Sequence, residues 1–149
     1  MKLAIGCDEA ACSLRDVLKT HLQAAGHEIA DFGTFNDTPV LYPDIAVALA
    51  KTILEGKSER GILLCGTGIG MAISANKVPG IRAAQCHDTF SAERASRSNN
   101  AQIITLGARV IGPELAKRIV DTFLAATFDG GTSAPKVEKI MAYERALRA

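Results

Sequence analysis

Apolar residues return along this chain in two alternating rhythms. Short unbroken apolar runs read as buried strands. Longer stretches bring Leu, Val, Ile and Ala back at every third or fourth position, the spacing of a helix face. Residues 2–7 predict a first strand, and 13–25 a helix carrying Leu14, Val17, Leu18 and Leu22 on one side. Gly26 stops that helix, and 27–32 predict a second strand. A turn-rich stretch, 33–43, follows, with Asn36-Asp37-Thr38-Pro39 and Tyr42-Pro43. Residues 44–55 predict a second helix, 60–65 a third strand and 69–77 a third helix. After the Val78-Pro79-Gly80 turn come a strand over 82–86 and a helix over 89–98. A fifth strand over 102–106 and a fifth helix over 113–126, with Pro113 in its first turn, complete the alternation. Asp129-Gly130-Gly131-Thr132-Ser133 breaks the chain before a last helix over 135–148 that no strand follows.

Five strands alternating with helices predict an α/β fold: a five-stranded parallel sheet covered on both faces, a Rossmann-like three-layer α/β/α sandwich. One domain spans 1–149, with no internal repeat or low-complexity tract. The last helix has no strand of its own to cover, so it is expected to dock on a partner subunit.

Composition narrows the function. Charged residues make up 22% and the net charge is +1, which gives no electrostatic case for nucleic acid or an anionic membrane. No apolar run approaches the roughly 20 residues of a membrane span. The first residues enter a strand directly, without a signal-peptide pattern, and the expected location is cytoplasmic. Cys7, Cys12, Cys65 and Cys86 match neither a zinc pattern nor a C-x-x-C redox pair. Cys7 and Cys86 lie in apolar stretches and read as small core residues.

Parallel sheets of this kind bind ligands beyond the carboxyl ends of their strands. Asp8, Cys65, His87 and Gly107 fall at or just after those ends. The run Cys65-Gly66-Thr67-Gly68-Ile69-Gly70 places a thiol at a strand end, beside a glycine turn that opens a helix. Turn amides and the helix dipole there favour a thiolate and a bound oxyanion. The same run reads equally well as a plain strand-to-helix turn with a buried thiol. It is not a Walker loop, and no acidic residue completes a dinucleotide fingerprint. Asp8 and Glu9 suit hydroxyl binding at a site rim, or simply a helix N-terminus. His87 faces the ligand edge, whereas His21 and His27 read as structural. Asn99 and Asn100 end a helix, and their amides could reach a polar substrate. Arg109 and Lys136 are candidate phosphate ligands, with Thr132 and Ser133 at the start of the last helix. Each of these has a surface or capping reading of equal weight.

Taken in order, Gly6-Cys7-Asp8, Tyr42-Pro43, Cys65 to Gly70, Ala75-Asn76-Lys77, Gly80-Ile81-Arg82-Ala83, Asn99 and Gly107-Ala108-Arg109-Val110 resemble the ribose-5-phosphate isomerase B and galactose-6-phosphate isomerase family. The resemblance runs through nearly the whole chain. It implies an aldose–ketose isomerase of sugar phosphates that works through a cis-enediolate without metal or organic cofactor. It implies a homodimer, or a tetramer built from such dimers, with sites shared between subunits. By this resemblance Cys65 moves the proton, the amides of Gly66, Thr67, Gly68, Ile69 and Gly70 hold the enediolate oxygen with help from Asn99, and Asp8, Tyr42 and Thr67 contact hydroxyls.

Three departures stand out. Glu9 replaces a histidine that usually follows the first aspartate. Ser98 replaces the histidine thought to open the furanose ring. Thr132, Ser133 and Lys136 replace an Arg-His pair and a later Arg that grip phosphate. A tetrose 4-phosphate cannot close a furanose ring, because its O4 carries the phosphate. It needs no ring-opening group, and the stretch from His87 to Ile104 resembles the erythrulose 4-phosphate branch. Alternatively His87 supplies the missing imidazole. A non-catalytic sugar-phosphate-binding protein on the same fold is the remaining expectation.

Overall fold

A computed structural model describes residues 1–149. Five strands form one parallel sheet: β1 (Lys2–Cys7), β2 (Glu28–Asp31), β3 (Arg60–Cys65), β4 (Ala83–Gln85) and β5 (Ile103–Gly107). Their spatial order is β2-β1-β3-β5-β4, the doubly wound arrangement in which the chain reverses direction beside β1 and β3. Six helices accompany them: α1 (Cys12–Ala24), α2 (Tyr42–Leu54), α3 (Ile69–Ala75), α4 (Thr89–Arg97), α5 (Pro113–Ala125) and α6 (Ala134–Arg148). The expected α/β/α sandwich is therefore present.

The two faces of the sheet bury separate cores. Leu3, Ile5, Ile62, Leu64, Ile104 and Leu106 point toward α1, α4 and α5, where Leu18, Leu22, Ile119 and Phe123 meet them. Ala4, Leu63 and Ile103 point the other way, onto Leu49, Met71 and Ala75 of α2 and α3. Both faces being covered explains why the strands read as continuous apolar runs. Truncating a fully buried Ile or Leu in such a core to Ala costs about 2–5 kcal/mol. No helix is long and apolar enough to cross a membrane.

Boundaries differ from the sequence expectation in ways that have causes. Helix α2 starts at Tyr42, two residues before 44, because Pro43 fits a first turn whose N–H needs no partner. Strands β2 and β4 are shorter than expected, as suits the two edges of the sheet. Two short 3₁₀ turns, Glu9–Ala11 and Gly131–Ser133, lead into α1 and α6.

The last helix has partners in its own chain. Glu144 of α6 accepts the Gly80 N–H at 2.9 Å, Arg148 donates to the Lys77 carbonyl at 2.9 Å, and Val137 is buried. Ile140, Tyr143 and Leu147 remain exposed on its outer side.

Candidate active site

Strand β3 delivers Cys65 to the carboxyl edge between its neighbours β1 and β5. The thiol is buried, 5% exposed. Its Sγ accepts the Gly68 N–H at 3.1 Å, so the turn folds back over the sulfur and presents the positive end of an amide to it. Gly68 has φ +79°, and a Cβ there would sit 3.0 Å from the Leu106 backbone, so this turn needs glycine twice over. The backbone N–H groups of Gly66, Thr67 and Gly70 have no acceptor within the chain. Unpartnered amides grouped beside a thiol can hold an oxyanion.

The turn is held from β5 and β4. The Thr105 hydroxyl donates to the Gly68 carbonyl at 2.7 Å, and the N–H groups of Ala108 and Arg109 donate to the carbonyls of Cys65 and Gly66 at 2.9 and 3.0 Å. Gln85 donates to the Thr67 carbonyl at 2.7 Å. Gly107 passes so close that a Cβ would lie 2.7 Å from Thr67 Cα. Sequence reasoning missed Thr105 and Gln85 as supports. Thr105 carried a readable signal: it is a hydroxyl inside an otherwise apolar strand, and a buried hydroxyl must find a partner.

Around this turn stand five of the expected residues. The Tyr42 ring lies across Gly70, where a Cβ would meet its Cζ and Oη at 2.4 Å. Arg109 runs beside Gly66, its guanidinium 3.5 Å from where a Cβ would be. Asp8 accepts the Ala10 N–H at 3.0 Å and caps the 3₁₀ turn. Its carboxyl is pushed above its ordinary value by burial, the largest cause; the Ala10 N–H opposes the rise, neighbouring Glu9 adds to it and Arg109 opposes it. His87 accepts the Gly107 N–H on Nε2 at 2.9 Å. Its neutral ring therefore carries the proton on Nδ1, the nitrogen left for other partners. Glu9 Oε2 accepts the Val40 N–H at 3.3 Å, so this carboxylate is engaged with the chain itself. Burial pushes the Cys7 and Cys86 thiols up to about 12, which keeps both protonated core residues, as expected.

The remaining expected residues lie elsewhere. Helix α4 starts behind Asp88, which accepts the Ser91 N–H at 2.6 Å, and runs back to the amino edge of the sheet. Ser98 and Asn99 end it there, and Asn99 borders a hollow of about 180 Å³ with Asn76, Arg82, Ala84 and Ile140. The loop before α6 is tied to the same end by Asp129, whose N–H donates to the Arg97 carbonyl at 3.1 Å. Thr132, Ser133 and Lys136 follow it. Strands of this length separate the two edges by about 16–20 Å. One chain thus brings Asp8, Glu9, Tyr42, the Cys65 turn, His87 and Arg109 together, and holds Ser98, Asn99, Thr132, Ser133 and Lys136 at the opposite edge.

The family model described as Ribose/Galactose Isomerase matches residues 3–140. The chain belongs to that family. A D-erythrulose-4-phosphate isomerase of Pectobacterium atrosepticum is 59% identical over 146 residues, covering 97% of this chain and 95% of that one. A ribose-5-P isomerase B of Listeria innocua is 54% identical over 138 residues, 93% of each chain. The structure of a ribose-5-phosphate isomerase B of Clostridium thermocellum superposes with a TM-score of 0.97 at 44% identity, covering 99% of both chains. This ribose/galactose isomerase is accordingly an aldose–ketose isomerase in class, and the resemblance read from the motifs is upheld.

Proposed function

We propose that this isomerase interconverts a phosphorylated aldose and ketose, with Cys65 moving a proton between C1 and C2. The supporting observation is the Cys65 sulfur under the Gly68 N–H, beside the free amides of Gly66, Thr67 and Gly70. The thiolate takes the proton from the carbon next to the carbonyl. The charge moves onto the carbonyl oxygen, and the turn amides receive it. The hydroxyl proton on the neighbouring carbon passes to the enediolate oxygen, and that second oxygen becomes the new carbonyl. Cys65 returns its proton to the carbon that had held the first carbonyl, which completes the isomerisation. Asp8, Tyr42 and Thr67 contact hydroxyls, and Arg109 offers a bidentate cation to phosphate.

Asn99, Lys136, Thr132 and Ser133 reach such a substrate only from a second copy of the chain. The reading therefore includes a homodimer that shares its sites, working in the cytoplasm as one domain per chain. The ribose 5-phosphate type of substrate is the first reading. A second reading has specific support: Ser98 leaves the ring-opening position without an imidazole, and the engaged Nε2 of His87 leaves that ring only Nδ1. A four-carbon substrate such as erythrulose 4-phosphate needs neither.

The test is a substrate panel of ribose 5-phosphate and erythrulose 4-phosphate, followed by exchange of the C1 or C2 proton with deuterated solvent. Cys65→Ala is expected to lose at least about a thousandfold in kcat, as befits the loss of a base. Undiminished turnover by that variant removes the assignment. A higher kcat/KM for ribose 5-phosphate removes the four-carbon reading.

A further inference from the structure

The loop that joins β2 to α2 is anchored very unevenly, and its sparse end leads straight to Tyr42. Its first half is well tied. Asp31 accepts the Gly33 N–H at 2.9 Å, and the thiols of Cys7 and Cys12 both point at the Thr34 carbonyl, at 3.6 and 3.7 Å. Phe35 stacks with buried Arg15 at 5.5 Å, and Cys12 donates to the Asn36 carbonyl at 3.5 Å. From Asp37 to Leu41 two hydrogen bonds reach another element: Val40 N–H donates to Glu9, and the Leu41 carbonyl accepts the Asp44 N–H in the first turn of α2. Glu9 is thus the one tie to a part of the fold other than α2 itself. Two residues later the chain enters α2 at Tyr42, whose ring covers Gly70. Leu41 is 75% exposed and adds little packing to hold this end.

We infer that Glu9 is a positioning residue: its carboxylate pins the 37–41 segment at Val40 and so keeps Tyr42 seated over the Cys65 turn. The proposal rests on the isomerase reading of this edge. It gives Glu9 a task different from substrate contact. A hydrogen-bond acceptor of the right length is what the position needs, and the negative charge is incidental. Glutamine supplies such an acceptor through its side-chain carbonyl, and alanine supplies none. Freeing one end of a loop raises the fraction of chains in which Tyr42 is displaced, and that fraction lowers apparent affinity directly. Once substrate is bound and Tyr42 is in place, the chemistry at Cys65 is unaltered. The effect therefore falls on KM more than on kcat.

The experiment compares wild type with Glu9→Gln and Glu9→Ala in two measurements. The first is amide hydrogen exchange of peptides covering 34–41, without substrate. Glu9→Ala is expected to lose protection at Val40, and Glu9→Gln to keep it. The second is steady-state isomerisation of erythrulose 4-phosphate and ribose 5-phosphate. Glu9→Ala is expected to raise KM about 5- to 30-fold with kcat within about threefold, and Glu9→Gln to raise KM by no more than about threefold. If Glu9→Gln is as impaired as Glu9→Ala, the charge acts on the substrate and the positioning role is wrong. If Glu9→Ala leaves both loop exchange and KM unchanged, the contact does nothing and the inference is overturned. Hydrogen exchange reads the clamp without turnover. An active Cys65→Ala enzyme with a loosened Glu9→Ala loop would therefore refute the site reading while leaving the clamp intact.

Discussion

Asp8 holds an awkward place at the end of β1, where three neighbours pull on it in different senses. Burial raises its carboxyl most, the Ala10 N–H and Arg109 draw it back, and Glu9 lifts it further. The folded chain thus keeps a proton there over a range in which the unfolded chain has released it. Stability falls as the pH climbs through that range, because the folded state must then carry the charge at a cost. Asp8→Asn removes the charge and keeps an oxygen for the Ala10 N–H. The variant is expected to melt above wild type at neutral pH, with the gap closing as pH falls towards about 4, the ordinary aspartate value. Thermal melts across that range check this, and a variant that melts lower throughout would contradict the sign. Activity should fall in the same variant, since Asp8 faces the proposed substrate. The position of Asp8 was legible in the sequence, because it directly follows an apolar strand. The engagement of Glu9 was not, because its partner is a backbone N–H of Val40, far along the chain, and backbone partners leave no mark in a sequence.

At the scale of elements, the turn between β3 and α3 contains glycines with opposite reasons to be glycine. Gly68 needs the left-handed region and has the Leu106 backbone against it, which cannot give way. Gly68→Ala is expected to cost about 1–3 kcal/mol of stability, read from urea denaturation. Gly70 lies in the first turn of α3 and outside the left-handed region, so its backbone accepts alanine without strain. Its obstacle is the tip of the Tyr42 ring, which can swing aside. Gly70→Ala should therefore leave the melting temperature near or above wild type and raise KM about tenfold. A loss of stability as large as that of Gly68→Ala would show that Tyr42 is not the part that yields. The run of glycines was visible at once in the sequence, and so was its place between a strand and a helix. Which glycine served folding and which made room for a side chain was decided by β5 and α2, whose arrival no local pattern announces. The strands and helices themselves were legible because both faces of the sheet are buried and each run is unbroken. Misplaced ends lie at the sheet edges, at Pro43, at β5, which is shifted by one residue, and at the end of α3, which stops at Ala75 rather than at 77.

For the whole molecule, the expected site residues fall into two groups at opposite edges of one sheet. A reaction centre that draws on both must form between chains. Cys65→Ala and Asn99→Ala each spoil a different edge. In the proposed shared-site dimer, unfolding the two variants together and refolding them as an equal mixture pairs one chain of each kind in half of the dimers, and each such dimer rebuilds one intact site. About a quarter of wild-type activity is the expected recovery. Activity no greater than the average of the two separate variants would mean that each chain works alone. Both groups were named as candidates from the sequence. It could not reveal the separation, which follows from α4 carrying Ser98 and Asn99 back across the sheet.

The support that β5 gives to the Cys65 turn also constrains how the chain acquires activity during folding. Thr105 and Gly68 are 37 residues apart in sequence, and the bonds from Ala108 and Arg109 span comparable lengths. Such non-local pairings close late, since a long loop must be ordered before they form. A nascent or refolding chain that has laid down β1, β3 and their helices still lacks the scaffold that shapes the turn. Proton transfer should therefore appear only when β5 has inserted between β3 and β4, in step with the final consolidation of the sheet.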